Sequence, residues 1–567
     1  MRKDMISKHS IQFILNWTIL IIVIVCTLSA QNATGEQHYK RYCLSCHGLD
    51  GKGDGELSYL LYPKPRDLTS GLFKIRSTTA GNLPTDTDLI TTIREGMPGT
   101  AMPSFNFLDP HELEDIVSYV KDLGNINNSN SVSIEIPDEI SRTDESLKLG
   151  KSIYTEIGCN KCHGETGTGD GPSSDVLVDS WGYPIIPRDF TSGVYLGGGE
   201  AQDLYLRFVG GMDGTPMPAY GNLAELLGKP KEDENKLAWS LVHYVKSLET
   251  ELSAEAKNPP VDGKITALAV SKRTKSDKLL DASSRFWEKA DSYSIPISRL
   301  WQSDNVNYQV VEVQAVYNSK YIAIKLEWDD ITSDTSLYRV QDFQDAAAIQ
   351  FSIDGTMDFH GMGSKDHPTD IWFWKSEWQM QKKSDTDSNI ELAYVNRVSD
   401  SDVEHYPNEF NDTAFLGGRD AGNINSRSER NSSVENVSAV GPQTVTTNPD
   451  KLQRVQGKGT WDGEKWRVVF LREMTAVSDQ EIKFNKNVIS SFSDRELKRA
   501  QSYIEKRWAP DNTINMVAWN HVKQIKVVNN TDTEDVIPIG FAVWNGSEND
   551  RNGQKMVSTW YQLKLKD

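Results

Sequence analysis

Cys43-Leu-Ser-Cys46-His47-Gly-Leu-Asp-Gly-Lys-Gly-Asp-Gly55 returns later in the chain as Cys159-Asn-Lys-Cys162-His163-Gly-Glu-Thr-Gly-Thr-Gly-Asp-Gly171. The surroundings repeat as well. Gly35-Glu-Gln-His-Tyr39 precedes the first copy, and Gly150-Lys-Ser-Ile-Tyr154 the second. Pro65-Arg66-Asp67-Leu-Thr-Ser-Gly71 follows the first, and Pro187-Arg188-Asp189-Phe-Thr-Ser-Gly193 the second. Gly96-Met97-Pro-Gly-Thr-Ala-Met102-Pro103 is echoed by Gly211-Met212-Asp-Gly-Thr-Pro-Met217-Pro218. Each copy closes on an amphipathic helical pattern, with Leu113, Ile116, Val117, Val120 and Leu123 in one and Leu237, Leu241, Val242, Val245 and Leu248 in the other. Two similar helical domains, 33–126 and 143–250, therefore stand in tandem, joined by a polar Asn/Ser-rich linker near 124–142. Two copies make a duplication, not a solenoid.

After Glu249 the pattern changes. Ser253 to Pro260 reads as a linker, with Pro259-Pro260 as its break. Beyond it, apolar residues alternate. Tyr321–Trp328, Trp466–Arg472 and Ile537–Trp544 are strand candidates, and β-rich runs bounded by Gly, Asp and Asn suggest a sandwich or barrel over 260–567. The polar stretch 376–450 reads as long loops across the sheets. The expected fold is thus multidomain: two all-α domains followed by a mostly-β sandwich.

The N-terminus reads as targeting. Arg2, Lys3 and Lys8 precede an apolar run ending near Leu28-Ser29-Ala30. Residues 1–32 are expected to be a signal peptide or a membrane anchor. Either one exports the rest, which places it in the periplasm or otherwise outside the cytoplasm. The 567 residues carry a formal net charge of -19. That argues against a nucleic-acid partner, which calls for a basic footprint, and suits a soluble, repelling surface or a basic partner. Five cysteines are present, four of them in the two Cys-x-x-Cys pairs. A disulfide framework is a poor reading of this chain, and so is an iron–sulfur subunit, since a cluster takes four thiolates and the only cysteines beyond Cys26 are the two pairs.

Cys-x-x-Cys-His is the spacing of covalent c-type haem attachment. Cys43 and Cys46, and again Cys159 and Cys162, supply thiols for two thioethers. His47 and His163 then lie beneath the iron as proximal ligands. A zinc site or redox dithiol is the competing reading, but a histidine follows directly in both copies, and export suits extracytoplasmic assembly. A sixth ligand is expected from a later loop. Met102 lies 59 residues beyond Cys43, and Met217 58 beyond Cys159. A soft thioether there suits low-spin iron and raises its potential. Met97 and Met212 are the rivals. Arg66 and Arg188 occupy matching places and are candidates to pair with haem propionates, because guanidinium binds carboxylate in a bidentate way. Local pairing with Asp67 or Asp189 is the alternative.

On these motifs, residues 33–250 resemble class I cytochromes c twice over. The third region carries two further runs: His360-Gly-Met362-Gly-Ser-Lys-Asp-His-Pro-Thr-Asp-Ile-Trp372-Phe-Trp374-Lys375, and Phe541-Ala-Val-Trp544-Asn-Gly-Ser-Glu-Asn-Asp-Arg551-Asn-Gly-Gln-Lys555-Met-Val-Ser558-Thr-Trp560. Both resemble the gamma subunit of ethylbenzene dehydrogenase and its relatives, electron-transfer subunits of molybdenum enzymes of the dimethyl-sulfoxide-reductase superfamily. The resemblance implies a β-sandwich holding one non-covalent haem b between a methionine and a lysine, which fall on Met362 and Lys555. Met357, Met556 and Lys375 compete for these roles; His360 and His367 lie near but are not used by the family pattern. The resemblance further implies an electron-transfer subunit, not an enzyme. Its expected partners are the iron–sulfur and molybdenum subunits of an oxidoreductase, with nitrite oxidoreductase favoured, and a cytochrome or the membrane respiratory chain. The alternative is a dihaem cytochrome c carrying a haem-free carbohydrate-binding sandwich, with the fifteen tryptophans of the chain as sugar platforms. A terminal enzyme with an open haem iron is a third reading, weakened by the Met-Pro loops.

Overall fold

The computed structural model describes residues 34–250, 258–299, 308–336, 341–357, 362–383, 432–441, 444–484 and 536–565. The N-terminal targeting stretch lies outside them. Among the described residues no helix is long and apolar enough to cross a membrane.

The first unit contains helices α1 (34–42), α2 (Leu44–His47), α3 (Asp86–Glu95) and α4 (Pro110–Leu123). The second contains α5 (Asp144–Glu156), α6 (Asn160–His163), α7 (Ala201–Gly210), α8 (Leu223–Leu226) and α9 (Glu234–Lys246). Their starts are written in the sequence. Thr85 and Asp88 form a capping box on α3, Asp109 and Glu112 one on α4 with Pro110 in the first turn, and Thr143 and Ser146 one on α5. These side chains satisfy amides that a helix leaves unpaired at its N-terminus.

In both units the first long helix crosses the last at a glycine. A Cβ on Gly35 would lie 2.2 Å from the Asp115 carbonyl oxygen, and one on Gly150 2.0 Å from that of Ser240. Only glycine permits so close an approach. Tyr39 then packs on Tyr119 and Tyr154 on Tyr244, with ring centroids 5.2 and 5.3 Å apart. The hydroxyls of Tyr39 and Tyr154 each donate to a carbonyl beside the histidine, Gly48 and Gly164, both at 2.7 Å. The crossing thereby positions the Cys-x-x-Cys-His turn.

The linker is not free. Asn128 donates to the Pro84 carbonyl at 2.9 Å, the Ile134 amide donates to the Ser77 carbonyl at 2.7 Å, and Ile134, Ile136 and Ile140 pack on the second unit's core. A buried ion pair also ties the two units. Arg76, 1% exposed, grips Asp213 with Nη2–Oδ1 2.6 Å and Nε–Oδ2 3.0 Å.

The third unit is built on strands β1 (Lys264–Ala269), β2 (Tyr293–Arg299), β3 (Tyr308–Tyr317), β4 (Tyr321–Asp329), β5 (Ala346–Ser352), β6 (Thr369–Lys375) and β7 (Val434–Ala439). It continues with β8 (Thr446–Thr447), β9 (Gln456–Trp461), β10 (Lys465–Glu473), β11 (Val536–Trp544), β12 (Met556–Val557) and β13 (Tyr561–Leu565). The three expected strands appear as β4, β10 and β11. Two expectations need correction. The stretch 376–450, read as loops, contains helix Ser376–Lys383 and strands β7 and β8. The separate sheets of a sandwich are joined into one 13-stranded hydrogen-bonded sheet, ordered β8-β7-β6-β5-β11-β12-β2-β3-β4-β10-β9, with β1 and β13 off that path. The short β12 makes the join, pairing Met556 with both Val543 and Arg299. The sheet faces itself across one core, where Trp374 of β6 meets Trp466 of β10 at 5.1 Å and Trp328 of β4 at 6.4 Å. Within that core Arg472 and Asp370, both with side chains 0% exposed, pair at 3.1 Å.

Candidate functional site

The two Cys-x-x-Cys-His turns are α2 and α6, single helical turns ended by Gly48 and Gly164, each at φ 78°. A Cβ at either glycine would lie 2.1 Å from an aspartate Oδ1, that of Asp54 or Asp170. This accounts for the glycine and aspartate of the repeated motif. The four cysteines form no disulfide, and burial pushes the thiols of Cys43, Cys46 and Cys159 up to about 12. Each histidine is held by one ring nitrogen. His47 Nδ1 lies 2.9 Å from the Arg66 carbonyl, and His163 Nδ1 3.0 Å from that of Arg188. A carbonyl only accepts, so Nδ1 carries the proton and Nε2 is the bare lone pair. Burial lowers both imidazole pKa values, disfavouring the charged ring. A neutral imidazole with its second nitrogen fixed is what an iron ligand needs.

The methionine loops match as well. Met97 and Met102 close one loop through the Met97 amide and Met102 carbonyl (3.0 Å), and Met212 and Met217 close the other in the same way (3.2 Å). Thr100 Oγ1 donates to the Met97 carbonyl at 2.8 Å, and Thr215 Oγ1 to that of Met212 at 2.7 Å. In the second unit a cavity of about 760 Å³ is lined by Cys159, Cys162, His163, Met212, Met217 and Arg188. That is the size of a cofactor pocket, with a sulfur and an imidazole among its walls. The residues present fit a covalent haem.

Of the two expectations for the arginines, the local one is not met. Asp67 and Asp189 spend their carboxylates on Thr69 and Thr191, so no local Arg–Asp pair forms. Arg66 instead reaches the second unit. It lies 4.2 Å over the Trp181 ring, with Nη1 2.6 Å from where a Cβ on Gly214 would sit. Arg188 reaches the first unit in the same manner, against Gly99 at 2.6 Å, with Nη2 3.4 Å from the Pro98 carbonyl. Lys74 completes a cationic group there, its pKa pushed down to about 8 by burial, with Arg66 and Arg188 adding to the effect.

In the third unit, Met362 packs on the outer face of the sheet with Ala346, Ala348, Ile371, Phe373, Val437, Ala439, Ala542, Trp544 and Val557. Lys555 reaches the same face, its Nζ 4.9 Å from the Trp544 ring centre, and burial alone pushes its pKa down to about 8. The alanines leave a shallow apolar floor beside a thioether and an amine whose charged form burial disfavours. This also fits a haem. The rivals are placed elsewhere or already engaged, Lys375 standing on the same outer face over the Phe373 ring. Met556 is in the inner core, Lys375 is bound to Glu435 at 2.5 Å, and His367 Nδ1 contacts Asp354 at 2.5 Å. His360 lies outside the described residues.

Comparison with known proteins gives two family matches. Residues 30–120 match the family model of cytochrome c oxidase, cbb3-type, subunit III, and residues 284–493 that of ethylbenzene dehydrogenase. The chain is a cytochrome c domain joined to an ethylbenzene dehydrogenase-type domain. It is thus a haem-carrying electron-transfer subunit, not a catalytic one. A curated Haloferax mediterranei protein, named as a respiratory nitrate reductase heme subunit (ORF7), is 20% identical over 292 residues, 51% of this chain and 68% of that one. Among solved structures, a chain of the Kuenenia stuttgartiensis reducing HAO-like protein complex is 38% identical, over 38% of this chain and 96% of its own length, at a TM-score of 0.35. A family 9 carbohydrate-binding module of Caldicellulosiruptor kristjanssonii bound to glucose is 8% identical, over 53% and 95% of the two chains, at 0.23.

Sequence reading missed the contacts between units. Arg76, Lys74 and Asp213 stand where the other copy has Gly198, Leu196 and Pro98, and Trp181 sits in extra sequence between Gly171 and Pro187. Departures from the repeat were the available signal, since a surface shared by two copies is the place where identical copies need not stay identical.

Proposed function

We propose that this chain relays electrons between a molybdenum oxidoreductase and a cytochrome or respiratory chain, outside the cytoplasm, through two covalent haem c groups and one non-covalent haem b. One observation carries the reading: the same Nδ1–carbonyl contact, which leaves Nε2 bare, occurs in both units, each of which has a matching methionine loop. Bound there, haem would supply a one-electron couple. His47 with Met102, and His163 with Met217, would be the axial pairs, Met362 and Lys555 those of the third site, and the domains would run 33–126, 143–250 and 260–567. With two protein ligands to hold each haem, no position would be left for a substrate. The nitrate reductase name of the Haloferax relative supports a respiratory parent enzyme. Nitrite oxidoreductase remains the favoured one, as a proposal from family association. Convergence of the units supports a relay. Thr559, near Lys555 in sequence, donates to the Ser104 carbonyl beside the first methionine loop at 2.6 Å, and Arg299, cross-strand from Met556, lines the second crevice.

The carbohydrate-binding alternative loses most of its platforms: of the described tryptophans of the third unit, only Trp461 is exposed, at 38%. Trp287, Trp328, Trp372, Trp374, Trp378, Trp466, Trp544 and Trp560 are all buried. A pyridine haemochrome assay before and after acid-acetone extraction tests the proposal. Two covalent haems and one extractable haem per chain are expected. Two covalent haems and nothing extractable, from cells with ample haem, would refute the third site.

A further inference from the structure

The two haem c units are packed so that matching residues exchange places. Arg66 and Arg188 are equivalent in the repeat, and so are Gly99 and Gly214. Arg66 touches Gly214, and Arg188 touches Gly99, each Nη1 2.6 Å from the position of a Cβ that glycine lacks. Both glycines have positive φ, 74° and 78°, and lie inside the methionine loops. The second crevice opens onto this junction, its wall shared by His163, Arg188, Lys74, Gly99 and Thr100.

The junction holds more positive charge than its own residues answer. Burial lowers Arg66 and Arg188 to about 10, which leaves both charged at neutral pH, and Lys74 is still mostly protonated there. Asp179, whose carboxylate also accepts the Trp181 and Tyr183 amides, offsets part of this charge. Arg66 Nη1 is buried without a hydrogen-bond partner, and Lys74 has no hydrogen bond or ion pair among the described residues. A buried cation lacking a counter-charge is costly. Carboxylates at the rim of two facing cofactors would supply it.

We propose that Arg66, Lys74 and Arg188 form one cationic bridge shared by the carboxylates of both haem c groups, each arginine acting on the haem of the opposite unit as well as on its own. This rests on the two-haem reading above. The bridge makes the redox levels of the two centres mutually dependent, since a positive charge fixed between them favours the reduced state of both. It differs from the simpler arrangement, in which each arginine acts only on its own unit.

The test is a potentiometric titration of the full chain followed by electron paramagnetic resonance, with the two haem signals assigned through Met102→His and Met217→His. Arg66→Gln is expected to shift the second haem's redox equilibrium toward the oxidised form by about tenfold, about 59 mV for one electron. Arg188→Gln should do the same to the first haem. Arg66→Lys and Arg188→Lys should restore most of each shift, and Lys74→Gln should lower both potentials together. Shifts confined to the substituted arginine's own unit, or no shift at all, would overturn the bridge. If an arginine variant fails to mature, Lys74→Gln decides alone, because it breaks no bond in the fold: a joint fall supports the bridge and an unchanged pair refutes it. Absence of covalent haem from the unsubstituted protein would instead refute the cytochrome reading of the site.

Discussion

Replacing Gly150 with alanine tests the helix crossing on which the second unit is built. The added methyl would lie 2.0 Å from the Ser240 carbonyl oxygen and 2.6 Å from Tyr244 Cβ. Neither neighbour can swing aside, because one is backbone and the other is the root of a side chain that is itself packed on Tyr154. Helices α5 and α9 must therefore separate by more than an ångström. Overpacking of this kind costs about 1–3 kcal/mol, and an obstacle fixed in the backbone belongs at the upper end. Alanine's better helix propensity returns about 1 kcal/mol. The net expectation is a loss of about 2 kcal/mol. At about 4–8 °C per kcal/mol for a domain of about 100 residues, the unit's melting temperature should fall by about 8–16 °C. Differential scanning calorimetry of the full chain is the suitable assay, since three units need not melt as one transition. An unchanged or higher melting temperature would refute the reasoning, because in an uncrowded helix the same substitution stabilises. Gly35→Ala should act alike on the first unit.

Other expectations are independent of that crossing. Arg472→Met leaves Asp370 buried without its cation and should destabilise the third unit by about 3–5 kcal/mol in urea titrations, with Asp370→Asn recovering part of the loss. Asp345 is held up at about 8, first by burial and then by Asp330. It binds its proton more tightly folded than unfolded, so its contribution is full below about pH 4 and declines as pH rises to about 8. Comparing the pH dependence of unfolding with that of Asp345→Asn should show this slope removed. Met362→Ala and Lys555→Met should each abolish the extractable haem and leave the covalent haem count unchanged. Asp213→Asn should loosen the two helical units, seen as faster proteolysis of the linker near 127–142.

Much of the site was legible because covalent attachment demands fixed spacing. Cys43, Cys46 and His47 must share one turn, so the motif survives in the sequence whatever surrounds it. The duplication then pointed to Met102 and Met217 by position alone. The strands β4, β10 and β11 were legible from alternation. The strands within 376–450 were not: β7, Val-Glu-Asn-Val-Ser-Ala, buries polar Glu435 and Asn436 against Lys375 and the Gln453 side chain, so its pattern reads as a loop. The direction of the two arginines was hidden for a related reason. A repeat shows what each copy needs internally, and Arg66 and Arg188 reach across to the other copy.

The sequence alone determined the duplicated Cys-x-x-Cys-His turns, the glycines at the helix crossings, the methionine loops and the change from helical to alternating periodicity. All of these depend on residues close in the chain or on a spacing that local geometry enforces. Only the tertiary structure decided that one curled sheet replaces two, that Met362 and Lys555 share a face, and that Arg66, Lys74 and Arg188 meet between units. Those juxtapositions join residues far apart in the chain, and they arise from packing whole surfaces together, which no local pattern of residues encodes.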